Sequence, residues 1–204
     1  MTADLRRRRT SQQLACAAAA FAMLPAFAAR AATVAGVALS DSLRLTPDGP
    51  LLLLNGAGER RMLLFHIYAI GLYLPQRART MEEALAQQGQ KRMLMVMLRD
   101  GITALQVHDH VLARMADGTQ PEEMAVMQPH IDELDRIIQG EKIINRGGTI
   151  SLDYFPGQGT IVRVNGLLRG KPMQGENFYN ALLRIWLGPG ARSAPLRDAL
   201  LGNG

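Results

Sequence analysis

From Lys91 to Arg99 the chain reads KRMLMVMLR, an apolar run unbroken from Met93 to Leu98 and closed by basic residues at both ends. A run this short, with no polar alternation, is a strand covered on both faces. Whatever the fold, it must place a layer on each side of this segment. The rest of the chain reads as the material for those layers. Residues 33–46 read as an extended opening segment, and TPDGP (46–50) is turn chemistry. LLLLN follows as a short buried strand, GAG (56–58) as a turn, and 61–74 as a long strand. Thr80 with Glu83 forms a capping box that opens a short helix through Gln88. In 103–116, Leu105, His108, Leu112 and Met115 make one stripe at helical spacing. Thr119, Pro121 and Glu122 start a second helix with Met124, Met127, Ile131, Leu134 and Ile138 as its seam, and Pro129 is expected to kink or split it. Residues 147–155 and 159–164 read as strands, and Asn165-Gly166 as a hairpin turn. Phe178, Leu182, Ile185 and Trp186 form the apolar face of a last substantial helix, and Ser193 with Pro195 opens a terminal one. Strands, then helices, then hairpins, then helices describe an α+β domain: an antiparallel sheet with helices packed on one face.

Residues 1–31 are expected to take no part in that domain, which leaves 32–204 to form it. Arg6 to Arg9 make a basic start, Leu14 to Leu24 is apolar and alanine-rich, Pro25 breaks the run, and AFA (26–28) or ARA (29–31) offers small residues for cleavage. This is the pattern of a secretory signal peptide, too short and too rich in alanine to span a bilayer well. It places the protein in the periplasm, with a cleaved start between Ala29 and Thr33. The general secretory route fits better than twin-arginine export, because the apolar residue usual after the arginine pair is missing. Loss of 1–31 takes five arginines and one aspartate from a chain with 23 basic and 18 acidic residues, leaving a nearly neutral domain with no transmembrane segment. No basic footprint for nucleic acid remains. Cys16, the only cysteine, leaves as well, so disulfides, thiol catalysis and thiolate metal sites are excluded.

LNGAGERRMLLFHIYAIGLYLP (54–75) raises the functional question, because Arg60, His66 and Tyr68 interrupt a segment that packing alone would fill with aliphatics. NGAGERRMLLFHIYAIGLYLP resembles the corresponding region of the plant chalcone isomerases, and GKPMQGENFYNALLRIWLG with PLRDALLG resembles the tail of the bacterial exported branch of the chalcone isomerase-like family. The resemblance covers nearly the whole of the mature chain. It implies that family's open-faced β-sandwich, a large antiparallel sheet with a layer of helices and an apolar cleft between them. It also implies that Arg60 matches the arginine that supports the oxyanion during chalcone ring closure, and that Tyr68 stands where the isomerases have a threonine. The tyrosine and lysine that the isomerases carry on a helix have no counterpart, since 103–139 contains neither residue. Relatives that bind fatty acids without catalysis are more similar, with an arginine and a tyrosine holding the carboxylate.

The chemistry suits that role. An arginine offers a charged fork, a phenol one further donor, and an apolar slot takes the chain. Met93, Met95 and Met97 share one face of their strand and could line such a slot. The expected function is therefore binding of a small apolar or fatty-acid-like ligand through Arg60, Tyr68, Met93, Met95 and Met97, with no cofactor. Two alternatives stay open. The protein could be an isomerase or intramolecular lyase with Arg60 as oxyanion support and Tyr68 as hydroxyl donor. It could equally be a structural or partner-binding protein whose cleft is filled by Trp186 and the methionines. Geometry sets a condition on the first two readings: on one straight strand Arg60 and Tyr68 would stand roughly 26 Å apart. Either the backbone bends sharply near 60–62 or the two do not share a ligand. His108 and His110 lie two apart on a helix and face away from each other, so no metal site is expected there.

Overall fold

The computed structural model describes residues 31–204 except 142, 190 and 192, and gives the backbone alone at 31, 104, 105, 108, 110 and 118. The expected signal segment, apart from its last residue, and the side chains of Leu105, His108 and His110 therefore lie outside the described residues. In chain order the elements are β1 (Ala31–Val34), β2 (Val37–Ser40), β3 (Ser42–Leu43), β4 (Leu52–Met62), β5 (Phe65–Leu74) and α1 (Met81–Ala86). Then come β6 (Lys91–Met97), β7 (Ile102–Thr103), α2 (Ala104–Gly118), α3 (Pro121–Gly140) and β8 (Ile143–Ile144). The chain finishes with β9 (Thr149–Phe155), β10 (Gly159–Val164), β11 (Leu167–Met173), α4 (Glu176–Leu187) and α5 (Ala194–Leu200).

Seven strands form one antiparallel sheet in the order β11-β10-β9-β6-β5-β4-β3. β6 sits at its centre and is covered on both sides, as its composition requires. Lys91, Met93, Met95 and Met97 face the helices and are buried. Leu94 and Val96 point the other way, into a smaller cluster with Leu39, Leu52, Leu54 and Tyr73 that the β1–β2 hairpin covers. The larger core lies between the sheet and α2, α3 and α4, and almost every residue of α4 from Phe178 to Leu187 is buried in it.

Four local expectations change. GAG (56–58) is no turn: it lies within β4, where its glycines let α5 rest directly on the sheet. A Cβ on Gly56 would meet the Ala199 and Leu200 carbonyls, and one on Gly58 would stand 2.7 Å from a Leu196 methyl. The strand expected over 61–74 is instead broken at Leu63-Leu64, where β4 turns back into β5. α3 runs continuously through Pro129; burial of Met127, Ile131, Leu134 and Ile137 outweighs the ~3 kcal/mol that an interior proline costs. Thr119 closes α2, and Gln120 takes the N-cap position of α3. The capping box at Thr80 is present, and Asn165 and Gly166 take the positive φ angles of 50° and 77° that a type I′ turn requires.

Candidate ligand-binding site

The turn at Leu63-Leu64 resolves the geometric condition on Arg60 and Tyr68. β4 and β5 are antiparallel partners, and the register sets Arg60 opposite Tyr68 and Tyr68 opposite Met97. The three residues form one row across the sheet, side chains on the same face. The backbone does bend, but beyond Met62 instead of within 60–62. A one-residue register shift accompanies it: Arg60 pairs with Tyr68 and Arg61 with His66, so Ile67 is the extra residue of a bulge. Such bulges twist a strand locally and re-aim the side chains beside them.

Between this row and the helices lies a cavity of about 390 Å³. Its floor crosses the sheet through Tyr68, Met97, Met95, Ile150, Leu152, Val164 and Val162. Its roof is Val107 and Val111 of α2, Leu134, Ile137 and Ile138 of α3, and Leu182 and Trp186 of α4. Polar groups are few and stand mainly at the rim: Arg60, Arg99, Gln106, Asp109 and Glu141. Met95 and Met97 line the space as the strand pattern suggested. Met93 shares their face but lies deeper in the core, between Leu72 and Leu152, and does not line the cavity. The apolar space thus leads across β9 and β10, not down β6.

The electrostatics of the rim are uneven. Glu141 is paired with Arg169, and Glu59 holds both Arg61 and His66. Arg60, half-buried, has no hydrogen bond or ion pair with any described residue. Arg99 stands with its guanidinium carbon 5.1 Å from the centre of the Phe65 ring, a cation–π contact, and its N–H donors make no ion pair with any described residue. Tyr68 is buried, and its hydroxyl oxygen accepts a 2.9 Å hydrogen bond from the Trp186 indole N–H. That bond uses the phenol as acceptor and leaves its own proton available. Burial holds the Tyr68 pKa above the ordinary phenol value, opposed in part by the Trp186 hydrogen bond and the Arg60 charge, so at neutral pH the group is a donor. A second, small pocket of about 20 Å³ adjoins the row, bounded by Arg60, Tyr68, Arg114, Trp186, Ser193 and Leu196.

Two members of the site were visible in the sequence without being assigned to it. Arg99 keeps the parity of Met95 and Met97, two residues past the end of the methionine face. Trp186 reads in the sequence as part of an apolar helix face and, in the structural alternative, as filler of the cleft; that its N–H anchors Tyr68 depends on packing between elements far apart in the chain. Among the described residues no cluster of His, Cys, Asp and Glu could hold a metal ion, and no helix is long and apolar enough to cross a membrane.

No curated protein matches the sequence. A solved structure does match the fold: the crystal structure of a fatty-acid binding protein of Arabidopsis thaliana superposes with a TM-score of 0.63 at 16% identity, covering 85% of this chain and 97% of that one. The chalcone isomerase-like family matches residues 31–202. The curled antiparallel sheet, its helical layer and a match over nearly the whole described chain agree: this protein belongs to the chalcone isomerase-like family.

Proposed function

We propose that the protein binds a fatty acid or a similar apolar carboxylic acid without transforming it. The observation that carries this reading is a guanidinium with no pairing among the described residues, beside a proton-bearing phenol on the lining of an apolar cavity. A half-buried guanidinium with no hydrogen bond or ion pair among the described residues favours an anionic ligand, and a carboxylate supplies one. A volume of about 390 Å³ falls within the ~300–1,000 Å³ of small-molecule pockets. The carboxylate sits against Arg60 and Tyr68, and the chain passes Met97 and Met95 toward Ile150 and Val164. The cavity is open where the alternative of a merely structural cleft needs it filled by Trp186 and the methionines. Binding without chemistry is favoured over ring closure because the helices above the site bring no tyrosine or lysine to it.

The test is native mass spectrometry of the protein as purified, followed by lipid extraction, and titration with a long-chain fatty acid and its methyl ester. Binding of the acid well above the ester supports the reading. Equal binding of both, or of neither, removes it. Saturable turnover of a chalcone would instead restore the isomerase. Export to the periplasm is part of the proposal, and N-terminal sequencing of periplasmic protein should find a start between Ala29 and Thr33; an intact Met1 on a cytoplasmic protein would refute it.

A further inference from the structure

The exposed apolar side chains are distributed very unevenly. Apart from Leu51 and Val126, all the large ones among the described residues lie at one end of the sheet: Met62, Leu63, Leu64, Phe65, Ile143, Leu167 and Leu168. Register places them together. The β4–β5 turn, the end of β6, the start of β9 and the β10–β11 turn share this end. The loop before β9 is fastened to it by Met97 and Gly147–Gly148 hydrogen bonds of 2.8 and 2.9 Å. The β4–β5 tip also overhangs its neighbour. The last bond joining β5 to the β6 segment runs from the Leu98 N–H to the Ile67 carbonyl at 2.9 Å, so Phe65 and His66 extend beyond it by about 7 Å.

The tip itself departs from ordinary turn chemistry. Leu63 and Leu64 are 91% and 92% exposed. Leu63 has a φ of +54°, a conformation that favours glycine or asparagine and strains a leucine. A bulky apolar residue is therefore kept where both solvation and backbone geometry disfavour it. Arginines share this end of the sheet. Arg60, Arg61, Arg99 and Arg146 belong to this end, and Glu59, Asp100 and Asp109 offset only part of their charge; Arg169 and Glu141 compensate each other.

We propose that this end of the sheet docks on an anionic phospholipid bilayer, Leu63 and Leu64 entering the acyl region and the arginines meeting the headgroups. A narrow, convex, apolar tip with a positive collar suits a fluid surface, which closes around a protrusion; a folded partner would need a matching pocket. The cavity rim lies directly behind the tip, because Met62 and Arg60 line it. Docking stands on the tip alone. Passage of an acyl chain between bilayer and cavity rests additionally on the fatty-acid reading above.

The test is co-sedimentation of the protein with phosphatidylcholine vesicles, with and without phosphatidylglycerol, beside a fatty-acid titration in solution. Wild type should bind the anionic vesicles, more weakly as salt is raised. Leu63→Asn should lower vesicle affinity several-fold while raising thermal stability slightly, because asparagine tolerates the positive φ; Leu63→Ser with Leu64→Ser should lower it at least tenfold. Arg61→Gln and Arg146→Gln should each weaken binding about fivefold, on anionic vesicles only. Fatty-acid affinity in solution should stay unchanged in the leucine variants, so failure of the ligand reading would show there and not in sedimentation. Wild type that ignores vesicles, leucine variants that bind as wild type does, or self-association that depends on the leucines would overturn the proposal; the last would make the tip an interface between copies.

Discussion

Lys91 and Arg60 project from the same face of the sheet, at opposite ends, and are treated in opposite ways. Lys91 is fully buried, yet its ammonium donates to the Glu176 carboxylate at 3.0 Å and to the Leu85 carbonyl at 3.0 Å, and lies 5.8 Å from the centre of the Tyr154 ring. Nearby, Asn55 spends its whole side-chain amide on protein, donating to the Ala78 and Leu200 carbonyls and accepting the Ala78 N–H. The polar groups named at that end are compensated from within. At the other end Arg60 faces the cavity with no described partner, Arg99 has only the Phe65 ring among the described residues, and leucines stand in water. One end is completed by the chain itself. The other is left open among the described residues, and on the proposed reading a ligand completes it; the difference would then separate residues that serve stability from residues that serve binding.

The largest expected effect breaks the completed end. Glu176→Ala would leave Lys91 charged and buried with only a carbonyl and a ring, a loss of about 3–5 kcal/mol of unfolding free energy. Urea denaturation measures it. Replacing both partners, Lys91→Met with Glu176→Ala, should recover most of the loss, since the buried charge is gone along with its partner. A double variant no more stable than Glu176→Ala would mean that Lys91 was never the source of the cost.

Arg60→Ala is the counterpart at the other end and should behave in reverse. No described partner loses a bond, so stability should hardly change. Affinity for a long-chain fatty acid should fall ten- to a hundredfold, the equivalent of about 1.5–3 kcal/mol for a charged hydrogen bond, with affinity for the methyl ester unaltered. A stability loss as large as that of Glu176→Ala, with unchanged binding, would erase the distinction between the two ends.

The two ends also differ in how far the sequence disclosed them. Local signals fixed what is local: the Thr80 capping box, the Asn165-Gly166 turn, and the need to cover Met93 to Leu98 on both faces all have direct counterparts. Two features escaped because their causes are not local. The glycines at 56 and 58 look like turn formers, but they answer to the close approach of α5, more than a hundred residues later. The turn at Leu63-Leu64 carries no glycine, asparagine or proline, so nothing in its composition announced that a long strand was a hairpin. Arg60 and Tyr68 were legible as unusual residues from the motif. Their meeting depended on that unannounced turn. The Tyr68–Trp186 hydrogen bond joins residues 118 positions apart and left no trace in the pattern of either segment.

The smallest expected effect tests whether Arg60 and Tyr68 act on each other, as one site requires. Tyr68→Phe should cost about 0.5–1.5 kcal/mol in fatty-acid affinity, one neutral donor being lost, and a comparable amount of stability through the abandoned Trp186 N–H. Titration to high pH isolates the phenol. In the folded protein burial raises the Tyr68 pKa, so above the ordinary value of ~10 the folded chain holds a proton that the unfolded chain releases. Its contribution to stability is complete below that pH and is lost as the pH rises beyond it. Wild type should therefore lose stability more steeply than Tyr68→Phe in alkali. The difference in phenolate absorbance between the two proteins should appear above the pH at which free tyrosine ionises. Arg60 works against burial, because its positive charge favours the phenolate. Arg60→Ala should move the onset higher still. If the onset stays where it is, the guanidinium does not reach the phenol, and a carboxylate could not be held by both.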